Sequence, residues 1–250
     1  MTSLLAWHGT RADGTTRHLK IKEVVGVKTF LAGDVELCKN ALHGSVRAVD
    51  MLRFSEGLWI KRTLHEGKIL LAADKIGSSE RTVVAEADAT QVVVDWAFWC
   101  ADRAVRIHAV TALRQAGMDT EAEKLVSLAT ITDKKSALAA SNAAYAVHAA
   151  HFAARAAAST AAASTAVAST AVAYAASTAH AAHAAARAAA STADFAVDAA
   201  AYASSTAHAA NAAAATACAA ADGTEMNLLN AELERRLLAL MGLIEMEVTQ

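Results

Sequence analysis

His43, Arg47 and Asp50 stand in the run Leu42-His-Gly-Ser-Val-Arg-Ala-Val-Asp50, and Asp74, Lys75, Glu80 and Arg81 come in the next polar stretch. His43 or Glu80 is the type of group that moves a proton, and Arg47 or Arg81 the type that clamps an anion. The competing reading of the same residues is a helix cap with surface ion pairs. Farther on, His148 with His151 and His180 with His183 set imidazoles three residues apart, on one face of a helix. Metal sites use such pairs alongside carboxylates or thiolates. The surrounding stretch supplies only Asp194 and Asp198 as acids and has no Glu-x-x-His repeat. No metal and no cofactor is therefore expected. The chain also lacks a GxGxxG, a P-loop, a GxSxG and an HExxH, so no catalytic residue is assigned and the balance leans away from an enzyme.

These residues need elements to hold them. Residues 1–88 read as a mixed, mainly β head. Ala12-Asp13-Gly14 signals a turn. Val27–Leu31 and Val35–Cys38 read as short strands between breakers. Ser45–Phe54 reads as a short helix with Ser45 as its cap. Leu58–Leu64 and Lys68–Ala72 flank Glu66-Gly67, which predicts a hairpin there. Residues 89–136 read as connecting helices. Asp88-Ala-Thr-Gln91 resembles a capping box, Val92–Ala116 has helical periodicity, and Gly117 suits a C-terminal cap. A second helix is expected from Asp119 or Thr120 through Leu128, and a third from Thr132-Asp133.

Residues 137–221 form an alanine tract, with 48 alanines among 85 residues. Alanine has the highest helix propensity, so the whole window favours helix. Unbroken, it would make a rod of roughly 130 Å at about 1.5 Å per residue. No Gly or Pro marks a hairpin, and Ser159–Val172, rich in Ser, Thr and Val, is the best place for a break. Tyr145 and Phe152, and likewise Phe195 and Tyr202, are seven residues apart, which suggests a left-handed bundle or coiled coil with close alanine seams. A β-solenoid is disfavoured because the Ser-Thr-Ala step at 159, 164 and 169 does not continue. Residues 222–250 predict a C-terminal amphipathic helix from Thr224 to about Glu247. Its apolar stripe includes Leu229, Leu233, Leu237, Leu240 and Ile244. That stripe either docks on the chain's own bundle or joins Tyr145, Phe152, Phe195 and Tyr202 in self-association.

Composition sets the outer limits. The chain has 250 residues, 11 Gly, no Pro, and a net charge of −2. There is no basic field for a nucleic-acid backbone, so no nucleic-acid partner is expected. The three cysteines have no paired spacing, which fits a reducing, cytoplasmic setting. The N-terminus lacks signal-peptide character and the alanine tract is interrupted by polar residues, so no membrane partner is expected. The expected fold class is α+β, a small head leading into long alanine-rich helices.

Trp7-His8, Asp13-Gly14, the Leu42–Leu52 run, Asp74-Lys75, Glu80-Arg-Thr-Val83 and Ala87-Asp-Ala-Thr90 resemble an uncharacterised domain of bacterial and phage proteins, whose members often end in alanine-rich helical repeats. The resemblance implies that His43, Arg47, Asp50, Asp74, Lys75, Glu80 and Arg81 are motif residues, but it carries no activity. The stretch from Phe98-Trp-Cys-Ala-Asp-Arg103 into the alanine tract looks like immunity proteins of bacterial toxin systems. The leading expectation is a non-enzymatic interaction or assembly protein of phage or bacterial origin, a homo-oligomer with a possible protein partner, in conflict or in a particle. The first alternative is an enzymatic or nucleotide-binding head, because the strand–helix–strand order around 35–64 is similar to ADP-ribosyltransferase-like folds. The second is a Thr/Ala-rich ice-binding helix, against which the Thr spacing is irregular.

Overall fold

The computed structural model describes residues 3–16, 19–159, 166–194, 199–217 and 224–244. It combines an antiparallel five-stranded sheet with helices. The described residues fall into two compact units. One holds residues up to 93 with 199–204 and 230–244; the other holds 94–194 with 205–217 and 224–229.

In the first unit, β1 (Leu4–Thr10), β2 (Lys28–Phe30), β3 (Leu42–Gly44), β4 (Trp59–Leu71) and β5 (Ile76–Asp88) run in chain order, with the short helix α1 (Ala48–Leu52) between β3 and β4. The sheet order is β1-β4-β5-β2, and β3 also pairs with β5. Immediately after β3, Ser45 exchanges both backbone hydrogen bonds with Trp7 of β1 at 2.8 Å. β1 thus has hydrogen-bonded backbone on both sides and the sheet curls towards a small barrel.

Several local expectations change here. Glu66-Gly67 is no hairpin: β4 runs straight through it for 13 residues. Gly67 sits at φ +71 inside a register shift of the β4–β5 ladder, where a left-handed residue makes a bulge rather than a reversal. The reversal comes at Ala72–Lys75, closed by Ala72 N–H donating to the Lys75 carbonyl at 2.9 Å. Val35–Cys38 is a turn and not a strand; Glu36 and Asn40 pair across it, and Cys38 adopts φ +68. Ser45 does not cap α1. Its hydroxyl donates to the Asp74 carbonyl at 2.9 Å, and the α1 amides find long-range acceptors instead: Ala48 N–H donates to Glu234 Oε1 and Val49 N–H to Asn230 Oδ1.

One face of β4 carries buried polar residues. Along β4 the alternation puts Lys61, Thr63 and His65 inside, each fully buried. Ser78 and Arg81 of β5 and Glu23 of the loop before β2 join them. Apolar packing comes from Ala6, Trp7, Leu42, Val49, Leu52, Ile60, Ile76 and Val83.

The second unit is helical. α2 (Thr90–Asp102) continues through a π-helical segment, Arg103–Ala109, into α3 (Val110–Gln115). Asp88 Oδ1 accepts from Thr90 N–H at 3.0 Å, a short relative of the expected capping box. At the far end, Gly117 takes φ +72 and Met118 N–H reaches the Leu113 carbonyl at 2.9 Å, the expected glycine stop. Next come α4 (Asp119–Val126) and α5 (Lys134–Ser159). Asp133 Oδ1 accepts from Ser136 N–H at 2.7 Å to cap α5.

The alanine tract is not one rod. α6 (Ala166–Asp194), α7 (Ala199–Ala217) and α8 (Thr224–Leu240) complete the order, and the expected break lies partly outside the described residues. The described residues of the tract are helical, which removes the stacked-strand reading. Ser141 and Tyr145 lie against His183, and His148 against His180; the opposed numbering makes α5 and α6 antiparallel neighbours. Both bury alanines, including Ala137, Ala140 and Ala144, and Ala179, Ala182, Ala186 and Ala189. Among the described residues no long supercoiled tail is formed. Thr178 and Thr206, from the Ser-Thr-Ala series, are fully buried and present no face to ice. α8 stops at Leu240, short of the expected Glu247, with Leu243 N–H donating to the Leu238 carbonyl at 2.9 Å.

Candidate functional site

The first unit holds a half-open cavity of about 310 Å³. β1 contributes Trp7, His8 and Gly9, and β3 contributes Leu42, His43 and Gly44. Met51 and Phe54 come from α1 and the residues after it, Lys75 from the β4–β5 turn, Arg81 from β5, and Cys38 from the turn before β3. The antiparallel exchange between Trp7 and Ser45 is what sets His8 and His43 on neighbouring strands.

His8 is the key residue. Its Nε2 is shut off from solvent and has no hydrogen-bond partner. Burial pushes its pKa well below the usual imidazole value, and the nearby charges of Arg81 and Lys61 push it the same way. His8 is therefore a neutral imidazole at neutral pH. A buried polar atom without a partner costs on the order of 1–3 kcal/mol.

Beneath His8 lies a charged layer. Arg81 holds Glu23 through Nε–Oε1 at 2.8 Å and Nη2–Oε2 at 2.7 Å, both side chains being buried. Arg81 Nη1 also donates to the His43 carbonyl. Lys61 Nζ sits 3.3 Å from the Gly14 carbonyl, 3.4 Å from the Glu23 carbonyl and 3.4 Å from Glu86 Oε2. His65 bridges Ser78 Oγ at 2.8 Å and Thr63 Oγ1 at 3.0 Å. Its pKa is lowered to about 3, first by burial and then by the Arg81 charge. Within and beside this layer, Glu23 Oε2, which has only its ion pair to Arg81, and His8 Nε2 are buried without a hydrogen-bond partner.

The sequence candidates divide. His43, Lys75 and Arg81 reach the cavity. His43 Nε2 accepts from Cys38 N–H at 3.0 Å, which leaves its ring proton on Nδ1 when neutral. Lys75 Nζ lies 5.1 Å from the centre of the Phe54 ring. The other four are placed elsewhere. Arg47 and Asp50 form a bidentate pair at 2.7 and 2.9 Å, and neither lines the cavity. Asp74 shapes the β4–β5 turn and faces Arg53 at 3.8 Å. Glu80 pairs with Lys28 at 3.1 Å, beside Glu66, and is not a proton donor to the cavity. Sequence reasoning does not single out Glu23, Lys61 or His65. Buried charge in a strand leaves no local signal, since Lys61 and His65 read as ordinary polar positions. His8 stands out in the sequence only as part of the Trp7-His8 motif.

The expected self-association residues are also accounted for. Leu229, Leu233 and Leu237 are fully buried within their own chain, while Leu240 and Ile244 are exposed. Tyr145 is 56% exposed and its ring meets His183 at 5.3 Å. The side chains of Phe152 and Tyr202, and all of Phe195 and Cys218, lie outside the described residues.

In the second unit, Glu225 takes two hydrogen bonds from Arg103 at 2.7 and 2.8 Å, and His108 Nε2 lies 3.1 Å away. Residues five apart diverge on an α-helix; the i→i+5 bonding of the π segment brings Arg103 and His108 to one carboxylate. Burial alone would raise the Glu225 carboxyl, but Arg103 and His108 hold it down to about 2. Among the described residues, no group of three or more His, Cys, Asp or Glu side chains could hold a metal ion, and no helix is long and apolar enough to cross a membrane.

No family model, curated protein or solved structure matches the chain.

Proposed function

We propose that the first unit is a binding module for a nucleotide-class small molecule. The observation that carries the reading is the cavity of about 310 Å³ with His8, His43, Lys75 and Arg81 in its lining. Cavities that hold small ligands begin at roughly 300 Å³, with apolar walls and a few convergent polar groups. Phe54 is 37% exposed and offers a ring to a heteroaromatic base, with Leu42 and Met51 as apolar lining. The His8 imidazole offers one hydrogen bond to a ring nitrogen or amide. Lys75 offers an ammonium to a phosphate, whereas Arg81 is already neutralised by Glu23. This favours the nucleotide-binding alternative, of ADP-ribosyltransferase-like type, over an empty structural head.

The test is calorimetric titration of the full chain with AMP, ADP-ribose and NAD. Binding of at least one is expected, with a loss of tenfold or more in His8→Phe, which keeps the ring volume but removes the nitrogen. If none of the three binds, or if His8→Phe binds as well as wild type, the reading fails.

A second reading, self-association, is supported by the exposed Leu240, Leu243 and Ile244 at the end of α8. Sedimentation velocity at micromolar concentration tests it; a strict monomer, unchanged in Leu243→Glu, removes it.

A further inference from the structure

The helical unit holds a cluster of imidazoles that the cavity does not use. His180 and His183 lie three residues apart on α6 and share one face of that helix. α5 brings His148 up to them. The His148 and His180 rings stand 5.0 Å apart centre to centre, tilted by 38°, and the His180 and His183 rings stand 6.3 Å apart. His183 ties the two helices together, because its Nδ1 lies 3.0 Å from the Ser141 carbonyl of α5. A carbonyl only accepts, so Nδ1 carries the proton and donates it. Ser141 stands roughly two turns of α5 before His148, so this bond helps to fix the register that sets His148 against His180. His180 is exposed and His148 is half-buried.

The ring separation has a chemical meaning. An imidazole nitrogen binds zinc at about 2.0–2.1 Å, which puts the centres of two rings on one tetrahedral ion roughly 5 Å apart. His148 and His180 stand at that separation. His183 stands farther from His180, in keeping with the absence of a three-ligand set among the described residues. Neither α5 nor α6 carries a carboxylate other than Asp194 at the end of α6. Magnesium and calcium take oxygen ligands and find none of that kind here, whereas imidazole suits zinc and its neighbours. The sequence shows the His180/His183 spacing; only the folding of α5 against α6 shows that His148 opposes it.

We propose that His148 and His180 form a two-imidazole site for a borderline divalent transition metal, with water completing the coordination shell. Two neutral ligands make a weaker site than the closed sets of structural zinc. The ion links α5 to α6 across a seam of small alanine side chains, and by binding only the folded pair it stabilises that pair by mass action.

The probe is zinc chloride, titrated calorimetrically into the full chain at neutral pH, with magnesium chloride as the control. Zinc is expected to bind and magnesium is not. His148→Gln and His180→Gln, each checked for unchanged helix content by circular dichroism, should each weaken zinc binding tenfold or more. A second measurement needs no variant: zinc should protect His148 and His180 of the wild-type chain from diethylpyrocarbonate, as mapped by peptide mass. The proposal is overturned if the chain takes up no zinc at millimolar concentration. It is equally overturned if either folded variant binds zinc as well as wild type, or if zinc leaves His148 and His180 as reactive as before.

Discussion

His65 gives the sharpest quantitative prediction. It is fully buried, locked between Ser78 and Thr63, with a pKa of about 3 against an ordinary value of 6.5. Burial lowers it first, and the Arg81 charge next. Because the folded pKa is depressed, the unfolded chain binds the proton more readily than the folded one between about pH 6.5 and 3. Stability is therefore full above about pH 6.5 and falls as the pH drops through that window. One pKa unit is worth about 1.4 kcal/mol. At pH 5.0 His65 is still neutral when folded, so its contribution has dropped by about 2 kcal/mol. That is a large part of a stability of roughly 5–15 kcal/mol. His8, shifted in the same direction, adds to the loss.

The assay is urea unfolding at pH 7.5 and 5.0, monitored by NMR signals from β4, so that the head is observed separately from the helices. His65→Gln keeps hydrogen-bonding atoms near Ser78 and Thr63 but cannot titrate. It should be less stable than wild type at pH 7.5, and its further loss on going to pH 5.0 should be smaller by about 2 kcal/mol. The imidazole signals of His65 should not titrate between pH 7.5 and 5.0. An equal pH loss in the variant, or a His65 titration near pH 6.5, would show that the charged layer does not act as described.

The packing gives three further outcomes. Glu225→Gln leaves Arg103 and His108 without their carboxylate and should destabilise the helical unit by roughly 2–4 kcal/mol, read by urea unfolding of the α2–α3 signals. Gly44→Ala places a methyl 2.8 Å from His65 Nε2 and 3.1 Å from Ala6 Cβ. It should cost about 1–3 kcal/mol and move the His65 imidazole signals; an unshifted ring contradicts the close approach. Ala182 is fully buried, so Ala182→Leu should overpack α6, again by about 1–3 kcal/mol, whereas a neutral result in urea would mean that the alanine faces are loosely packed.

Local chemistry is legible in the sequence and long-range pairing is not. Gly117 and Asp133 read as helix punctuation because a cap is decided within a few residues, and the structure uses both as such. The hairpin expected at Glu66-Gly67 is misplaced because glycine satisfies a bulge and a tight turn by the same positive φ. Only the partner strand distinguishes them, and β5 keeps pairing on both sides of the bulge. Ser45 looks like a cap for α1, yet the acceptors for the α1 amides come from Glu234 and Asn230, nearly the whole chain away. Of the site, His43, Lys75 and Arg81 are found by residue type, but nothing local tells that Glu80 faces Lys28 while Glu23 faces Arg81. The π segment is equally invisible, since its reason is the distant carboxylate of Glu225.

The buried polar residues of β4 bear on the proposed binding reading. An alternation of apolar and polar residues normally puts the apolar set inside, but here Lys61, Thr63 and His65 are buried. Buried ion pairs such as Arg81 with Glu23 seldom add stability over an apolar core of the same volume, and the two depressed histidines make the fold sensitive to acid. A structural domain gains nothing from this arrangement. On the proposed binding reading it has a use: burial first, and then the charges of Arg81 and Lys61, oppose protonation of His8 and keep neutral a ring in the cavity lining. Replacing Lys61 by Met tests the point directly. The substitution removes a buried charge while retaining much of the side chain's length. If the layer exists to tune the site, the His8 imidazole should titrate at a higher pH in Lys61→Met. An unchanged His8 titration in a folded variant would leave the charged layer without the role given to it.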